Sequence, residues 1–416
     1  MADRPPVIIG FDAVSPLGID LDIQWRRALS GKSGVGPLTR FAPPPEFPVQ
    51  VAGQVDAIDH LDYPFLKPRE QARWVSPIFK YALLTVQRAL EKSGLVITKE
   101  LAPKVAVTFS SAIGGLDAVL TADRDLLNDG RLPKPFINPN ACINMVGGKV
   151  AMLTKATGPI FAGISACATG LTSLLTGVML LEQKRAEVVI CGAVDFPLVE
   201  PIVAGFYTMN AAYSPKEGRP PIPPAACSRP FSVDRRGFII SEGSGCLLLC
   251  TREFARANHL DAPIEIAGWS MTADAHHHVA PRYDTVRRCI FECLENAGLK
   301  PEEIDAVNAH ATATKSGDQV EADALLSVFD QNVPPVTANK SLFGHAMGAS
   351  SAIESILAIT AMLTETLPPT INHRPDPAIP LDCVTEGPRR VVQEHVLKNA
   401  FGFGGHNACV VLRRIR

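Results

Sequence analysis

An α/β fold with mixed sheets is predicted for this chain, and three observations carry the prediction. Segments of strand and helix character alternate from end to end. Several strand segments are near-continuous Val/Ile runs, the composition of strands buried on both faces. The 416 residues and 46% apolar side chains suit two domains, or two fused halves, around a large core. In chain order, strands are expected over Val7–Gly10, Lys104–Phe109, Glu187–Gly192, Phe238–Cys250, Ile304–Asn308 and Ala408–Leu412. Helices are expected over Ser76–Ser93, Ala168–Gln183, Thr285–Ala297, Gly317–Ser327 and Ala349–Thr364. Between Tyr213 and Arg229 the prolines Pro215, Pro220, Pro221, Pro223 and Pro224 exclude helix and central strand, so a surface excursion is expected. A change of composition near residue 255 divides residues 1–254 from residues 255–416. No repeat of 20–50 residues is visible, so a duplicated half has diverged past recognition in one sequence.

Charge narrows the function classes. The 40 basic and 42 acidic side chains leave a net charge of −2. That balance gives no support to a binder of nucleic acid. The run from Val7 to Gly10 is too short for a signal peptide. No stretch of about 20 uninterrupted apolar residues exists. A soluble, cytoplasmic protein without a membrane partner is expected. The ten cysteines are scattered singly without a Cys-x-x-Cys pair, the pattern of buried reduced thiols. Cys289 and Cys293 share a helical face at i, i+4, and without a partner pair they read as core residues.

Cys167 differs from the others. Gly163-Ile164-Ser165-Ala166-Cys167-Ala168-Thr169-Gly170 precedes Leu171, Leu174, Leu175, Val178 and Leu181 at helical spacing. The thiol therefore belongs at a helix N-terminus, where free N–H groups and the dipole favour thiolate. Small neighbours leave room for a carbonyl. Cys142 and Cys191 lack this setting.

Three further elements follow. Val307-Asn308-Ala309-His310-Ala311-Thr312-Ala313-Thr314 places a histidine at a strand end, and Asp318 and Glu321 open the next helix. Thr337-Ala338-Asn339-Lys340-Ser341-Leu342-Phe343-Gly344-His345 leads into another helix, on which Glu354 is within reach of Lys340. Asn399-Ala400-Phe401-Gly402-Phe403-Gly404-Gly405-His406-Asn407 carries three glycines in four residues. Such a loop needs positive φ or close approach, and its N–H groups suit an oxyanion. It is not a Gly-x-Gly-x-x-Gly before a helix, so a nucleotide site is not expected.

In their order these elements resemble the β-ketoacyl-acyl carrier protein synthases of the Cys-His-His class, within the thiolase superfamily. The resemblance opens at Ile9-Gly10-Phe11-Asp12-Ala13-Val14-Ser15-Pro16-Leu17-Gly18. It continues through Ser111-Ala112-Ile113-Gly114-Gly115, the Cys167 segment and Arg229-Pro230-Phe231-Ser232-Val233-Asp234-Arg235-Arg236-Gly237-Phe238. It implies a thiolase-like five-layer αβαβα sandwich of two similar halves, paired as a homodimer or with a related synthase. It implies decarboxylating condensation of an acyl-Cys167 intermediate with a malonyl group, both delivered on the phosphopantetheine of an acyl carrier protein. Neither metal nor other cofactor is implied. Residue by residue, it makes Cys167 the nucleophile and His310 and His345 the decarboxylation pair. Lys340 supports that pair, with Glu354, Asp318 and Glu321 around it. Phe403 is the gate, its N–H forming an oxyanion hole with that of Cys167, and Ile113 and Phe206 belong to the acyl pocket. The field of cationic Lys340 should help keep both imidazoles unprotonated.

The departures lie around the entrance. The family's His-Gly-Thr-x-Thr is His310-Ala311-Thr312-Ala313-Thr314 here, and its Gly-Phe-Gly-Gly-Thr-Asn ends in His406-Asn407. Asn210-Ala211-Ala212-Tyr213-Ser214 stands where Arg-Ala-Leu-Ser is frequent, and Pro77 interrupts a segment that is helical in the family. These bear on partner and chain length and favour a specialised, polyketide-like role over fatty-acid elongation. Lys67, Arg69 and Arg73 are available to an acidic carrier protein. Ala275-His276-His277-His278 falls near the pantetheine entrance, and three adjacent histidines in a loop rarely ligate one ion. The alternative is a non-catalytic partner subunit that sets chain length; such subunits lack the cysteine. A coenzyme A thiolase would need a second cysteine where Phe403 stands, with Cys409 only beyond it. A Cys-His-Asn synthase would need asparagine in place of His345.

Overall fold

The computed structural model describes residues 5–61, 63, 65–215 and 222–415. Its main sheet contains β1 (Pro6–Val14), β2 (Val105–Ser110), β3 (Val188–Asp195), β4 (Gly243–Thr251), β5 (Ile264–Ala273), β6 (Ala306–Asn308), β7 (Val336–Thr337), β8 (His395–Gly402) and β9 (His406–Arg414). The strand order is β2-β3-β4-β1-β5-β9-β8-β6-β7.

That order contains a repeat. In β2-β3-β4-β1 the first pair is parallel and the next two are antiparallel. In β6-β8-β9-β5 the same sequence of pairings recurs. β7 extends the second set in parallel beside β6, and Ile160 takes the equivalent place beside β2 through one parallel bridge to Val107. The two sets join only where Val7 pairs with Glu265 and Ile8 with Ile264. Residues 254 and 255 lie inside a short helix, Arg252–Ala257, immediately before the chain crosses to β5.

Burial on both faces of each strand produces the layers. On β3, Val188 and Ile190 pack outward with Phe79, Leu83 and Val86 of α1 (Pro77–Ser93), beside α2 (Asn144–Thr154). Val189 and Cys191, on the opposite face, join the central core with α3 (Thr169–Glu182). In the second set, Val307, Leu397 and Val411 face α4 (Tyr283–Ala297) and α5 (Lys315–Val328), while Val396, Val410 and Leu412 turn to the same central core. That core is filled by α3 and by α6 (Met347–Thr364). α6 is long and apolar enough to cross a membrane, and here it is buried at the centre of the molecule, as a helix apolar on all sides must be.

Two expectations need correction. Pro77 does not interrupt its helix but opens it, at a position where a missing N–H costs nothing. The strand expected from Phe238 begins only at Gly243, because residues 238–241 run against other partners: Phe238 bridges Ala212 and Ile240 bridges His345. The proline-rich segment is anchored at both flanks, since Tyr213, Cys227 and Ser228 are buried; Pro220 and Pro221 lie outside the described residues.

Candidate active site

Cys167 sits in a single 3₁₀ turn, Ala166–Ala168, that feeds α3. Ala166 takes a left-handed φ of 46° to make the elbow. Thr169 Oγ1 ties the turn together, accepting from Ser165 N at 3.0 Å and donating to Ala166 O at 2.7 Å. The helix behind it approaches α6 closely. A Cβ on Gly170 would lie 2.6 Å from the Ala352 nitrogen, so only glycine permits that packing.

The second set of strands supplies the partners. His310 follows β6, and its backbone N–H donates to Glu321 Oε1 at 2.8 Å, while Ala311 N–H donates to Oε2 at 2.7 Å. His345 follows Gly344, whose φ of 80° turns the chain from the short helix Lys340–Phe343 toward α6. Its Nε2 lies 3.0 Å from Cys167 Sγ, and its Nδ1 lies 3.0 Å from Ser350 Oγ. The two imidazoles meet edge to face, 5.8 Å between centroids. His310 Nδ1 is 3.5 Å from Lys340 Nζ, and the same ammonium donates to the His310 carbonyl. Each Nδ1 thus has a neighbour able to donate to it, an arrangement that holds the ring proton on Nε2, the nitrogen left for the cavity.

Lys340 is 1% exposed and forms an ion pair with Glu354 at 2.6 Å, as the spacing predicted. Lys398, which sequence reasoning missed, occupies the other Glu354 oxygen at 2.9 Å. Asp195, also missed, ends β3 and accepts from Ser111 Oγ at 2.6 Å, Ile113 N at 2.9 Å and Ala349 N at 3.2 Å. It thereby ties the Ile113 loop to the start of α6.

Electrostatics alter one expectation and bear out another. Burial, countered by Lys340 and by the N–H groups of Phe403 and Cys167, pushes the Cys167 thiol up to about 12. The helix N-terminus alone does not leave a resting thiolate, because desolvation of the anion outweighs it. Both imidazoles are held well below their usual value, first by burial and then by the Lys340 and Lys398 charges. Asp318 and Glu321 are not solvated helix-start carboxylates. Both are buried, Asp318 is pushed up to about 7 by desolvation, and its Oδ2 accepts from Phe231 N at 2.7 Å.

The glycine loop approaches from β8. A Cβ on Gly402 would come within 2.2 Å of the Ser165 carbonyl oxygen, and Gly404 and Gly405 have φ of 83° and 75°. Asp274 N donates to Gly405 O at 2.9 Å and Gly404 N to His278 O at 2.9 Å, so the loop is pinned from β5. Gly402→Ala is expected to displace the Phe403 N–H and lower acyl transfer at least about tenfold. Single-turnover acylation of the purified variant measures it.

A cavity of about 540 Å³ runs inward from Tyr207, Met209 and Lys315 past Thr312 and Thr314 to Cys167, His310, His345 and Phe403. Ile113 and Phe206 do not line it. They join Phe403 and Phe238 in an adjoining apolar cluster, with Phe206 edge-on to Phe238 at 5.4 Å. Lys67 and Arg69 are exposed and away from the cavity, whereas Arg73 pairs with Glu70 at 3.1 Å and lies over the Phe136 ring. The rings of His277 and His278 stack, and His277 Nδ1 accepts from Val279 N and Ala280 N as a turn acceptor. Among the described residues no group of three or more His, Cys, Asp or Glu is arranged to hold a metal.

A buried thiol, two imidazoles and a glycine loop at the junction of two like halves define a thioester-handling centre, and the sequence agrees. Residues 3–255 match the N-terminal domain of beta-ketoacyl synthases and residues 264–374 the C-terminal domain, so the chain belongs to the beta-ketoacyl synthase family. A 3-oxoacyl-[acyl-carrier-protein] synthase 2 of Coxiella burnetii is 34% identical over 421 residues, covering 100% of both chains. One from Synechocystis is 32% identical, over 98% of this chain and 97% of its own. Among solved structures, a beta-ketoacyl synthase from Burkholderia phymatum aligns with a TM-score of 0.90 at 26% identity, over 99% of this chain and 100% of that one. The ishigamide ketosynthase/chain length factor aligns at 0.87 with 28% identity, over 100% of both. A type II polyketide ketosynthase in complex with its acyl-carrier protein aligns at 0.88 with 25% identity, also over 100% of both. The chain thus has the thiolase-type fold of the ketosynthases.

Proposed function

We propose that the chain catalyses decarboxylating condensation of an acyl group on Cys167 with malonyl-acyl carrier protein, giving 3-oxoacyl-acyl carrier protein. The observation that carries this reading is the 3.0 Å contact of Cys167 Sγ with His345 Nε2, beside His310, at the end of one cavity. In the first half-reaction the sulfur attacks the acyl thioester carbonyl, its proton is released, and the carrier sulfur leaves and takes up a proton to depart as the free thiol, while Nε2–H of His345 donates to Sγ. The oxyanion is met by the N–H groups of Cys167 and Phe403. In the second, malonyl thioester loses carbon dioxide, and the enolate oxygen accepts from Nε2–H of His310 and His345. The enolate carbon attacks acyl-Cys167, and the sulfur departs and is reprotonated. Lys340, Glu354, Asp318 and Glu321 hold the pair in place. Phe403 bounds the acyl chain, with Ile113 and Phe206 packed behind it outside the cavity.

The exposed side chains of Lys67 and Arg69 suit an acidic carrier protein, with Arg73 held back by Glu70. Exposed Ile160 and Phe161 run along the outer edge of β2 beside Val107, and Met152 and Ile164 are exposed as well. That apolar strip supports pairing with a second synthase subunit of the same or related sequence. Within the chain, the two halves divide near residues 254 and 255. The entrance departures favour a specialised acyl chain over ordinary saturated ones.

Incubating the purified chain, alone, with a panel of acyl carrier proteins and weighing it intact tests the reading. An acyl mass on the wild-type protein identifies the substrate, and efficient elongation of ordinary saturated chains would sink the specialised role. Inactivity until a related synthase is added would favour the partner-subunit reading.

A further inference from the structure

Lys398 lies inside a strand whose neighbours are fully buried, and burial lowers its pKa while Glu354 acts to raise it. It lies on β8 in register with Asn308, is 0% exposed, and has no contact with solvent to explain its charge. A lone buried lysine is costly and normally neutralises. This one has two acceptors: Glu354 Oε2 at 2.9 Å and the Asn399 carbonyl. Glu354, itself 0% exposed, is therefore held at one oxygen by Lys340 and at the other by Lys398. The adjacent Asn399 side chain donates to Glu321 Oε1 at 3.1 Å, and Glu321 grips the His310 and Ala311 N–H groups. One side of the His310 segment is thus fixed by Lys340, and the other by Glu321 of α5, which Asn399 of β8 holds beside Lys398.

We propose that Lys398 is a positioning residue for the decarboxylation pair, bridging Glu354 to the His310 segment and supplying the second positive charge that balances the buried carboxylates Glu354 and Glu321. This rests on the reading of His310 and His345 as that pair. Counting the groups around the imidazoles, Lys340 and Lys398 offset Glu354 and Glu321, while Asp318 and Asp195 carry hydrogen bonds from Phe231 N and Ser111 Oγ one step further out. Cys167 faces His345 as the remaining titratable neighbour. Without Lys398 the centre carries one excess negative charge. Such a site favours imidazolium and opposes both the enolate and the thiolate. The field of Lys398 reaches both imidazoles and pushes each toward its neutral form, in the same sense as burial and Lys340.

The test is the pH dependence of carbon dioxide release from malonyl-acyl carrier protein by the full chain. Lys398→Met is expected to move the acid limb up by about one pH unit and to lower the optimum rate about tenfold. Lys398→Ser, which leaves room for water, should move it the same way. Lys398→Met/Glu354→Gln restores the charge balance, so its midpoint should return toward wild type even though the rate does not. A purely structural lysine would lower the melting temperature and leave the midpoint where it is. An unmoved midpoint in the folded single variants overturns the proposal. If neither folds, the side-chain ¹⁵N signal of Lys398 in wild-type protein decides it, since a neutral amine between pH 6 and 8 is incompatible with the charge role. Wild-type protein that condenses without decarboxylating malonyl substrate would instead defeat the underlying reading of the site.

Discussion

Cys167→Ala is expected to lose condensation by at least about 10⁴-fold while still releasing carbon dioxide from malonyl-acyl carrier protein. The sulfur is needed to hold the electrophile, and no other described group at the cavity end offers a nucleophile of that kind. The decarboxylation donors do not depend on it. His310 is fixed by Glu321 and Lys340, and His345 by Ser350 and by Phe238 edge-on at 5.1 Å. Removing Sγ deletes one contact to His345 and leaves a small void, worth about 1 kcal/mol, so the variant should fold. Intact-mass measurement should show no acyl adduct, and the carbon dioxide assay should show uncoupled turnover to the acetyl carrier. An adduct persisting on Cys167→Ala would assign the nucleophile elsewhere. Loss of carbon dioxide release in a folded variant would mean that the enolate forms only against an acylated sulfur.

The elements that meet at the cavity end were legible because each is local: a small-residue entry to an apolar helix, a histidine at a strand end, a glycine loop. The Lys340–Glu354 pair was legible because the two residues lie on consecutive helices, 14 positions apart. Lys398 was not. In a strand, a lone lysine among apolar residues reads as an outward charge, and only the packing of β8 against α6 reveals Glu354 opposite it. Asp195 failed for the same reason, since its partners Ser111, Ile113 and Ala349 come from distant segments. The resting state of Cys167 was misjudged because a helix start is visible in sequence and desolvation is not. The repeat of strand pairings was invisible because it lives in hydrogen bonding and survives loss of sequence likeness. Ile113 and Phe206 lie outside the open cavity, in an apolar cluster with Phe238 and Phe403, because which side chains face a pocket is set by packing between distant segments and not by local pattern.

Replacing either histidine by alanine is expected to slow decarboxylation by about 10²–10³-fold, the usual consequence of removing one of two donors to a developing oxyanion. The two variants should differ in the first half-reaction. His345 touches the sulfur, so His345→Ala should also slow self-acylation, whereas His310→Ala should still acquire the acyl mass. Linkage gives a second readout. Each imidazole has a folded value well below the ordinary 6.5, set first by burial. Between those values the unfolded chain binds a proton that the native chain refuses. Stability from this source is therefore full above about pH 6.5 and lost as the pH falls toward the folded value, at about 1.4 kcal/mol per pH unit for each histidine. Buried carboxylates work in the opposite sense: Asp195 and Asp318, raised to about 6 and about 7, bind protons more readily folded than unfolded and gain stability on acidification. The wild-type curve mixes both, but the difference between wild type and His345→Ala isolates one imidazole. That difference should shift in favour of the variant as the pH drops below about 6.5, read by denaturant melts at successive pH values. A difference independent of pH would mean that His345 titrates alike in the folded and unfolded chain, which is incompatible with an imidazole that burial holds neutral.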